Sequence, residues 1–397
     1  MTLHSANKSV ELPPPSKVID ILYTLSQYGN PPDEDNPITA SIIDVGTADY
    51  LNFFETEILN DFILHGGSTI KIFQGVAGSG KTHILQLLQR LALNKGFLIC
   101  KVDLSRDLSF TDSDLVTKTF LQDCYIQIDG KIYHHLPDIL SFIGKNYDID
   151  LEKYKKNQLE HPCFQNAMEY AIRNNLDSDA WMVLRQYLMG ETVTVAQLKR
   201  NGLKRVKKPL KENNAEQVFS TVLNSIPYFK IPGTIIFFDE NDREWLSEDS
   251  RKSKLAANTL RRLIDSFSLG RINGAMGIFA VSENFIRACN DRYIALGSRL
   301  ESFHKDSNSI AWRWFILEVQ MVNHIFNEKD NKNRRELFLR KSIQKFTMLV
   351  EYCGGNINNL SEELELEGLK ELLKTNNENY KRSIIKLLAS ISYKRLE

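Results

Sequence analysis

A glycine-rich segment followed by a lysine and a threonine carries the clearest chemistry in the sequence. Residues 75–82 read Gly-Val-Ala-Gly-Ser-Gly-Lys-Thr and match the pattern G-x-x-x-x-G-K-[ST] at every fixed position. Glycines let backbone N–H groups turn inward around a phosphate, and Lys81 would reach the β- and γ-phosphates. The Thr82 hydroxyl would ligate Mg²⁺. The segment therefore predicts a site for a nucleoside triphosphate and its magnesium ion, against the alternative of a structural glycine-rich turn.

The elements around this loop favour ATP as the nucleotide. The strand-like run "TIKIFQ" precedes the loop, and the helix that begins at Lys81 would direct its N-terminal dipole at the phosphates. Guanine specificity would require an N-K-x-D-like element, and the "NEKD" at 327–330 follows no strand. We expect ATP to contact Gly75, Val76, Ala77, Gly78, Ser79, Gly80, Lys81, Thr82 and His83.

A second apolar run, "TIIFFDE", ends in the acidic pair Asp239 and Glu240. A carboxylate at the tip of such a strand holds the Mg²⁺ shell in P-loop proteins, so Asp239 is the predicted metal ligand together with Thr82. Glu240 could orient and polarise an attacking water. The alternative is an acidic pair that merely ends a strand in solvent. The pair indicates ATP hydrolysis as well as ATP binding.

A third run, "GIFAVSEN", places Ser282 and Asn284 at the carboxyl end of a strand, where ligands of open α/β sheets bind. Either side chain could hydrogen-bond the γ-phosphate or the water, and Asn284 is the preferred polar sensor. The alternative is that both residues only cap the next helix.

The order of strand, loop, helix and strand predicts an α/β fold with a parallel sheet and crossover helices. Residues 1–45, rich in proline, form an N-terminal arm. Residues 46–310 form the nucleotide-binding core, with a helical insertion at about 104–230 that shows no convincing run of strands. Residues 311–397 form a C-terminal helical lid domain, with "RRELFLRKSIQKFTMLVEYCGG" and "YKRSIIKLLASISYKRLE" as its clearest amphipathic stretches.

The bulk composition excludes several classes of protein. A hydrophobic share of 42% over 397 residues supplies buried cores without disulfides, and the five cysteines show no C-x-x-C pair, as in reduced cytosolic proteins. No signal peptide or spanning segment is recognisable, so we expect a soluble, cytoplasmic protein that does not contact a membrane. The formal net charge is zero, so any contact with nucleic acid must come from a local patch.

One such patch lies inside the predicted insertion, and we call it the basic cluster. Its members are Lys199, Arg200, Lys204, Arg205, Lys207, Lys208 and Lys211. Such a cluster can bind nucleic-acid phosphates without sequence specificity. A solvated loop and an acidic protein partner are the alternatives. DNA is therefore a partner that this cluster allows.

The P-loop, "FFDE" and "GIFAVSENF", in this order, resemble the AAA+-like ATPases of the group that includes origin-recognition and STAND proteins. Within that group the chain is most similar to the ATP-binding proteins of BREX-type anti-phage defence, the BrxC and BrxD kind. The likeness spans about 70–300 and rests on "FQGVAGSGKTHILQLLQRLALNKGFLICKVDLS", "LRQYLMGETVTVAQLKRNGL", "NAEQVFSTVLNSIPYFKIPGTIIFFDEND" and "GIFAVSENFIRACNDRYIALGSRL".

The resemblance implies an AAA+/ASCE-like P-loop ATPase from bacteria that assembles as a ring or filament. It implies that the protein acts with other defence proteins at DNA. ATP hydrolysis would then be coupled to DNA engagement or to remodelling of a defence complex. The alternative is a nucleotide-gated assembly scaffold with slow turnover. In related AAA+ proteins an arginine after the sensor strand reaches the neighbour's γ-phosphate. Arg299 is the expected finger and Arg292 its competitor, against a surface arginine paired with Glu301 or Asp306.

The lid departs from many of these relatives, which carry a nucleotide-contacting arginine in a "GG-x-x-R" or "G-x-P-R" element. The corresponding "GGNINNL" here offers Asn356, Asn358 and Asn359. Because an amide lacks the charge of a guanidinium, the departure predicts weak coupling of the lid to the nucleotide, or slow turnover.

Overall fold

A computed structural model describes residues 2–5, 8–32, 34–76, 78–104, 108–239, 250–301, 316–318, 331–375 and 380–396. The chain forms two compact units, each built from separate segments. The P-loop unit comprises Met1–Glu55, Phe73–Leu91 and Leu317–Glu397. The sheet unit comprises Thr56–Ile72 and Ala92–Ile316. The predicted boundaries at 45, 104, 230 and 310 follow chain order instead and stay a prediction.

The described strands, in chain order, are β1 (Thr2–Ser5), β2 (Lys8–Glu11), β3 (Thr69–Gln74), β4 (Leu98–Asp103), β5 (Tyr125–Ile128), β6 (Lys131–His134), β7 (Thr234–Asp239), β8 (Ala275–Val281) and β9 (Ile316–Glu318). The described α-helices up to the acidic strand are α1 (Pro15–Tyr28), α2 (Ile38–Ile43), α3 (Ala48–Phe53), α4 (Lys81–Asn94), α5 (Ser113–Asp123), α6 (Leu136–Asn146), α7 (Leu151–Lys156), α8 (Pro162–Arg173), α9 (Ser178–Leu188), α10 (Val195–Arg200) and α11 (Ala215–Ser225).

The helices that follow are α12 (Ser250–Ser268), α13 (Phe285–Arg292), α14 (Ile294–Glu301), α15 (Asn331–Tyr352), α16 (Leu360–Lys374) and α17 (Tyr380–Lys394). A π-helical stretch, Phe54–Ile63, continues α3. None of the described helices is long and apolar enough to cross a membrane.

The main sheet has the strand order β6-β5-β4-β7-β8-β3-β9 and is mostly parallel. β7 pairs in parallel with β4 on one side, in a register that ends at Asp103 opposite Asp239, and with β8 on the other side. The first residues of β3 and β8 lie together, because Ala275 N donates to Ser68 Oγ at 3.1 Å and Gly274 N donates to Gly66 O at 3.2 Å. This α/β arrangement is compatible with a P-loop NTPase.

The apolar runs form strands because they are buried in the middle of this sheet. Every residue of β8 is buried, and in β7 only Asp239 at the carboxyl end is partly exposed. Strands of a parallel sheet that helices cover on both faces read as continuous apolar sequence. The rings of Phe238 and Phe279 stack at 4.3 Å between centroids across the two strands. β3 and β4 follow each other in the sequence but not in the sheet, because β7 and β8 lie between them.

The segment between β4 and β7 is helical from α5 to α11 but also contains a β hairpin, which the apolar pattern does not predict. β5 and β6 pair antiparallel, and β5 pairs antiparallel with β4 at the edge of the sheet. Asp129 and Gly130 form the turn with φ angles of 50° and 78°. The sequence signal is this Asp-Gly pair, since a two-residue turn with positive φ at both positions favours it.

The P-loop unit has its own apolar core, which joins the two ends of the chain. α1 packs along α17, and α15, α16 and α17 pack on one another. Buried side chains of this core include Val18 and Leu25 of α1, Phe346 of α15, and Ile384 and Leu388 of α17. The helices are held by these apolar stripes rather than by helix propensity, as is usual for amphipathic helices.

Candidate functional site

The glycine-rich loop takes the backbone conformation that its glycines allow. Gly78 and Gly80 have φ angles of 76° and 104°, where residues with a Cβ are strained. An added Cβ at Gly80 would meet no described atom within 4 Å, so backbone conformation and not crowding requires glycine there. Ile84 N donates to Gly80 O at 3.0 Å, and α4 begins directly after the loop. Ala77 lies outside the described residues.

Lys81 is bound to the loop that precedes it. Its Nζ donates to Gly75 O at 2.7 Å and to Val76 O at 3.0 Å. The ammonium therefore lies against the loop. Thr82, in the first turn of α4, is exposed.

Ser79 is the part of the loop where a polar atom has no partner. It is only 3% exposed, and its Oγ makes no hydrogen bond in the described part of the chain. A buried hydroxyl without a partner is unfavourable, and a ligand oxygen could supply one. This atom fits a phosphate group. The exposed Thr82 hydroxyl and the partly exposed Asp239 carboxylate are the oxygen donors that Mg²⁺ prefers.

His83, the last predicted nucleotide contact, lies against a carboxylate. Its Nε2 is 3.2 Å from Asp44 Oδ1. Burial alone would raise the pKa of Asp44, but the hydrogen bond and charge of His83, with the charge of Lys345, hold this pKa below its usual range. Lys345 Nζ also donates to Ile42 O at 3.2 Å. His83 therefore links α4 to α15 through Asp44.

Sequence reasoning missed a second lysine at the loop. Lys381, near the start of α17, donates from Nζ to Ser79 O at 2.9 Å. Burial lowers the pKa of Lys381 to about 8. The two residues are 302 positions apart, so no local pattern could have indicated the contact.

The proline-rich N-terminal segment binds the polar face of α4. Gln86 Nε2 donates to Pro32 O at 3.1 Å, and Gln89 Nε2 donates to Glu34 O and Asp35 O at 2.9 and 2.7 Å. These side chains are buried, so the segment covers this part of the helix.

In the sheet unit, two carboxylates stand at the ends of neighbouring strands. Asp239 ends β7, and its register partner on β4 is Asp103, which sequence reasoning did not single out. Asp103 is exposed and Asp239 partly exposed. In-register residues of parallel strands project from the same face of a sheet, so negative charge concentrates at this end. Glu240, the predicted residue that polarises water, lies outside the described residues.

Asn284 is exposed and precedes α13 as its N-cap, but its side chain makes no capping hydrogen bond. Ser282 is partly exposed, and its carbonyl accepts from Phe285 N at 3.3 Å. The amide of Asn284 therefore does not cap the helix, and its sensor role stays a prediction.

Arg299 forms a two-point ion pair inside its own unit. Its Nε and one terminal nitrogen donate to the two carboxylate oxygens of Asp265 on α12 at 2.7 and 3.1 Å. The side chain is 40% exposed. Asp265 is therefore one partner of Arg299. Asp306 and the side chain of Glu301 lie outside the described residues, so the pairing with them stays a prediction. The side chain of Arg292 is also outside the described part of the structure.

The basic cluster is exposed at all seven positions and is fixed by apolar residues between them. Leu198, Leu203 and Val206 are buried, and Tyr187 Oη donates to the carbonyl oxygens of Lys207 and Lys208 at 2.7 and 3.1 Å. The backbone of the cluster is thus held in one conformation.

Arg205 differs from the rest of the cluster. It donates to Glu169 at 3.1 Å and lies 5.3 Å over the ring of Tyr170. Glu169 is buried and also pairs with Arg173 and Lys155. Arg205 therefore has a structural partner.

The asparagines of "GGNINNL" form the turn between α15 and α16. Asn356 Oδ1 accepts from Asn358 N at 2.9 Å, and Asn359 has a φ angle of 55°. Asparagine tolerates this left-handed conformation better than most residues do. These positions thus have a structural reason to be asparagine.

Residues 38–132 match a family model described as BREX system ATP-binding protein BrxC/D. This match confirms the resemblance to BrxC/D-type proteins. It includes the glycine-rich loop, α4 and β4 and ends within β6, before the acidic strand. No curated protein and no solved structure matches the chain.

Proposed function

We propose that the chain binds ATP with Mg²⁺ and hydrolyses it as an AAA+-like ATPase of a bacterial anti-phage defence system. The observation that carries this proposal is the loop itself. Two positive-φ glycines, a lysine bonded to the loop and an orphan buried hydroxyl lie inside the segment that matches an ATP-binding family. Within the sheet unit, Asp239 ends β7 and Asn284 follows its parallel neighbour β8, which supports a common role for these two residues.

In this proposal each residue has a distinct task. Backbone N–H groups of the loop and the start of α4 bind the phosphates, and Lys81 neutralises their charge. Thr82 and Asp239 would hold Mg²⁺, which neutralises charge on the β- and γ-phosphates. Glu240 accepts a proton from the attacking water, and Asn284 hydrogen-bonds the γ-phosphate or that water.

The first experiment measures ATP affinity and fold stability together. Lys81→Ala should weaken ATP binding tenfold or more, because a hydrogen bond to a charged group is worth about 1.5–3 kcal/mol. Lys95→Ala, just past the far end of α4, is the matched control and should bind like the wild type. An unchanged affinity in Lys81→Ala, with an unchanged melting temperature, would refute the assignment of this loop.

The ion pair between Arg299 and Asp265 favours the second candidate, a nucleotide-gated scaffold with slow turnover. A guanidinium that is held by two oxygens of its own chain must leave them before it can reach a neighbour's phosphate. Stimulation of hydrolysis by duplex DNA separates the two candidates, because a motor on DNA requires it and a slow scaffold does not. Particle mass with and without ATP tests the proposed ring or filament.

We also propose that the basic cluster binds DNA phosphates and that the protein acts there together with other defence proteins. Its fixed backbone and exposed cations support this role, and Arg205 is excluded from the test because it pairs with Glu169. Reversal of Lys204, Lys207 and Lys208 to Glu should make the affinity for DNA less dependent on salt. The change in slope should correspond to the loss of about two to three phosphate contacts. The control reverses three exposed lysines elsewhere in the sheet unit, Lys131, Lys145 and Lys156. Equal salt slopes in both variants would refute the contact.

A further inference from the structure

We propose that Lys381 is a positioning residue that sets the orientation of the Ser79–Gly80 peptide in the phosphate loop and thereby makes nucleotide affinity depend on α17. The proposal rests on the proposed ATP binding by this loop. It concerns a residue that lies outside the matched segment and outside the predicted nucleotide contacts.

The geometry of the Ser79–Gly80 peptide links the contact of Lys381 to the direction of a backbone N–H group. Lys381 Nζ donates to Ser79 O at 2.9 Å. In a planar trans peptide the C=O and the following N–H point in opposite directions. An ammonium that holds the carbonyl of Ser79 on one side therefore directs the N–H of Gly80 to the other side. Backbone N–H groups are the donors that such a loop offers to a phosphate.

The Ser79–Gly80 peptide needs a constraint from outside the loop. It joins Ser79 to Gly80, and glycine populates positive and negative φ about equally, so the loop sequence alone does not fix the orientation. Lys81 binds the carbonyls of Gly75 and Val76, at the other end of the loop. Lys381 thus constrains the Ser79–Gly80 peptide from another helix.

Lys381 is itself held in place by the packing of its neighbour. Its neighbour Tyr380 packs edge-on against Phe338, and the guanidinium of Arg335 lies 5.0 Å over the Tyr380 ring. Arg335 also donates to Leu372 O and Thr375 O, at the end of α16. The start of α17 is therefore anchored to α15 and α16, and a shift of these helices would move the Lys381 ammonium relative to Ser79.

Burial adds a reason why the contact responds to phosphate. It lowers the pKa of Lys381 to about 8, so the ammonium is held under unfavourable conditions. A bound phosphate anion nearby favours the charged form of a lysine. Phosphate binding and the Lys381 contact should therefore stabilise each other.

The experiment compares Lys381→Met, Lys381→Arg and Lys386→Met in the full chain. Methionine keeps the length of the side chain but removes the donor, arginine restores a donor, and Lys386 is an exposed control on the same helix. Affinities for ADP and for inorganic tripolyphosphate are measured by calorimetry. We expect Lys381→Met to lose about tenfold in affinity for both ligands, Lys381→Arg to regain most of it, and Lys386→Met to match the wild type.

Hydrogen exchange of α17 supplies a second readout. ADP should slow amide exchange between residues 384 and 389 in the wild type and not in Lys381→Met. If the wild type binds neither ligand, the proposed function fails. If the wild type binds and Lys381→Met binds equally well, or loses ADP affinity without losing tripolyphosphate affinity, the positioning role of Lys381 is overturned.

Discussion

Replacement of Lys381 by methionine should stabilise the protein at pH 7 and not at pH 10. The pKa of Lys381 falls from 10.5 to about 8 because of burial. One pKa unit corresponds to about 1.4 kcal/mol, so the folded protein at pH 7 carries a cost of about 3 kcal/mol for its ammonium. Methionine removes this cost but also removes the hydrogen bond to Ser79 O, worth about 2 kcal/mol because its donor is charged. The net gain in unfolding free energy at pH 7 is about 1 kcal/mol.

The sign of the pH dependence follows from proton binding. Between pH 8 and pH 10.5 the unfolded chain keeps a proton on Lys381 that the folded chain has released, so the wild type gains stability as the pH rises. Below pH 8 both states are protonated and the cost is fully present. The advantage of Lys381→Met should therefore stay constant from pH 6 to about 7.5. It should shrink by about 2 kcal/mol by pH 10.

Urea unfolding, followed by circular dichroism at matched pH values, measures this difference. Comparison of variant and wild type at the same pH cancels the titration of the other groups, and Lys386→Met should show no pH-dependent difference. If Lys381→Met is destabilised by the same amount at pH 7 and pH 10, then the ammonium is not desolvated, and the reasoning about its burial is wrong.

Three further predictions concern the loop, the metal and the finger. Gly80→Ala should lower the unfolding free energy by about 1 kcal/mol or more, because alanine is strained at a φ of 104°; equal urea midpoints would contradict this. Asp239→Asn should weaken ATP binding in the presence of Mg²⁺ and leave it unchanged in EDTA, as measured by calorimetry. Arg299→Ala and Lys81→Ala should each be inactive alone and regain partial ATPase activity when mixed, and wild-type activity of Arg299→Ala alone would exclude the finger.

The sequence predicted the sheet well because its central strands are buried on both faces. The apolar runs at β3, β7 and β8 favour such positions, and the structure has a strand at each of the three. The hairpin of β5 and β6 was missed, since its short strands alternate weakly and the Asp129–Gly130 turn was not weighed. Periodicity identifies central strands more readily than edge strands.

Of the candidate site, the glycine-rich loop was predictable because its pattern is contiguous and each position has a chemical reason. The contacts of His83 with Asp44 and of Lys381 with Ser79 were not, because each joins residues that are far apart in the sequence. The sequence suggested that a lid without its arginine would couple weakly to the nucleotide. A lysine from another helix bonds the loop directly, which sequence spacing cannot show.

The loop and the helix that follows it have contacts from both ends of the chain, all inside one compact unit. Asp44 reaches α4 through His83, and Lys381 reaches Ser79 from α17. If these contacts differ in strength between the nucleotide-bound and nucleotide-free protein, then binding free energy and the stability of α17 are coupled, and the coupling is reciprocal. A tenfold loss of ADP affinity in Lys381→Met would require that ADP strengthens the Lys381 contact by the same factor in the wild type. Any partner that binds α17 and shifts it would then alter nucleotide affinity without touching the loop.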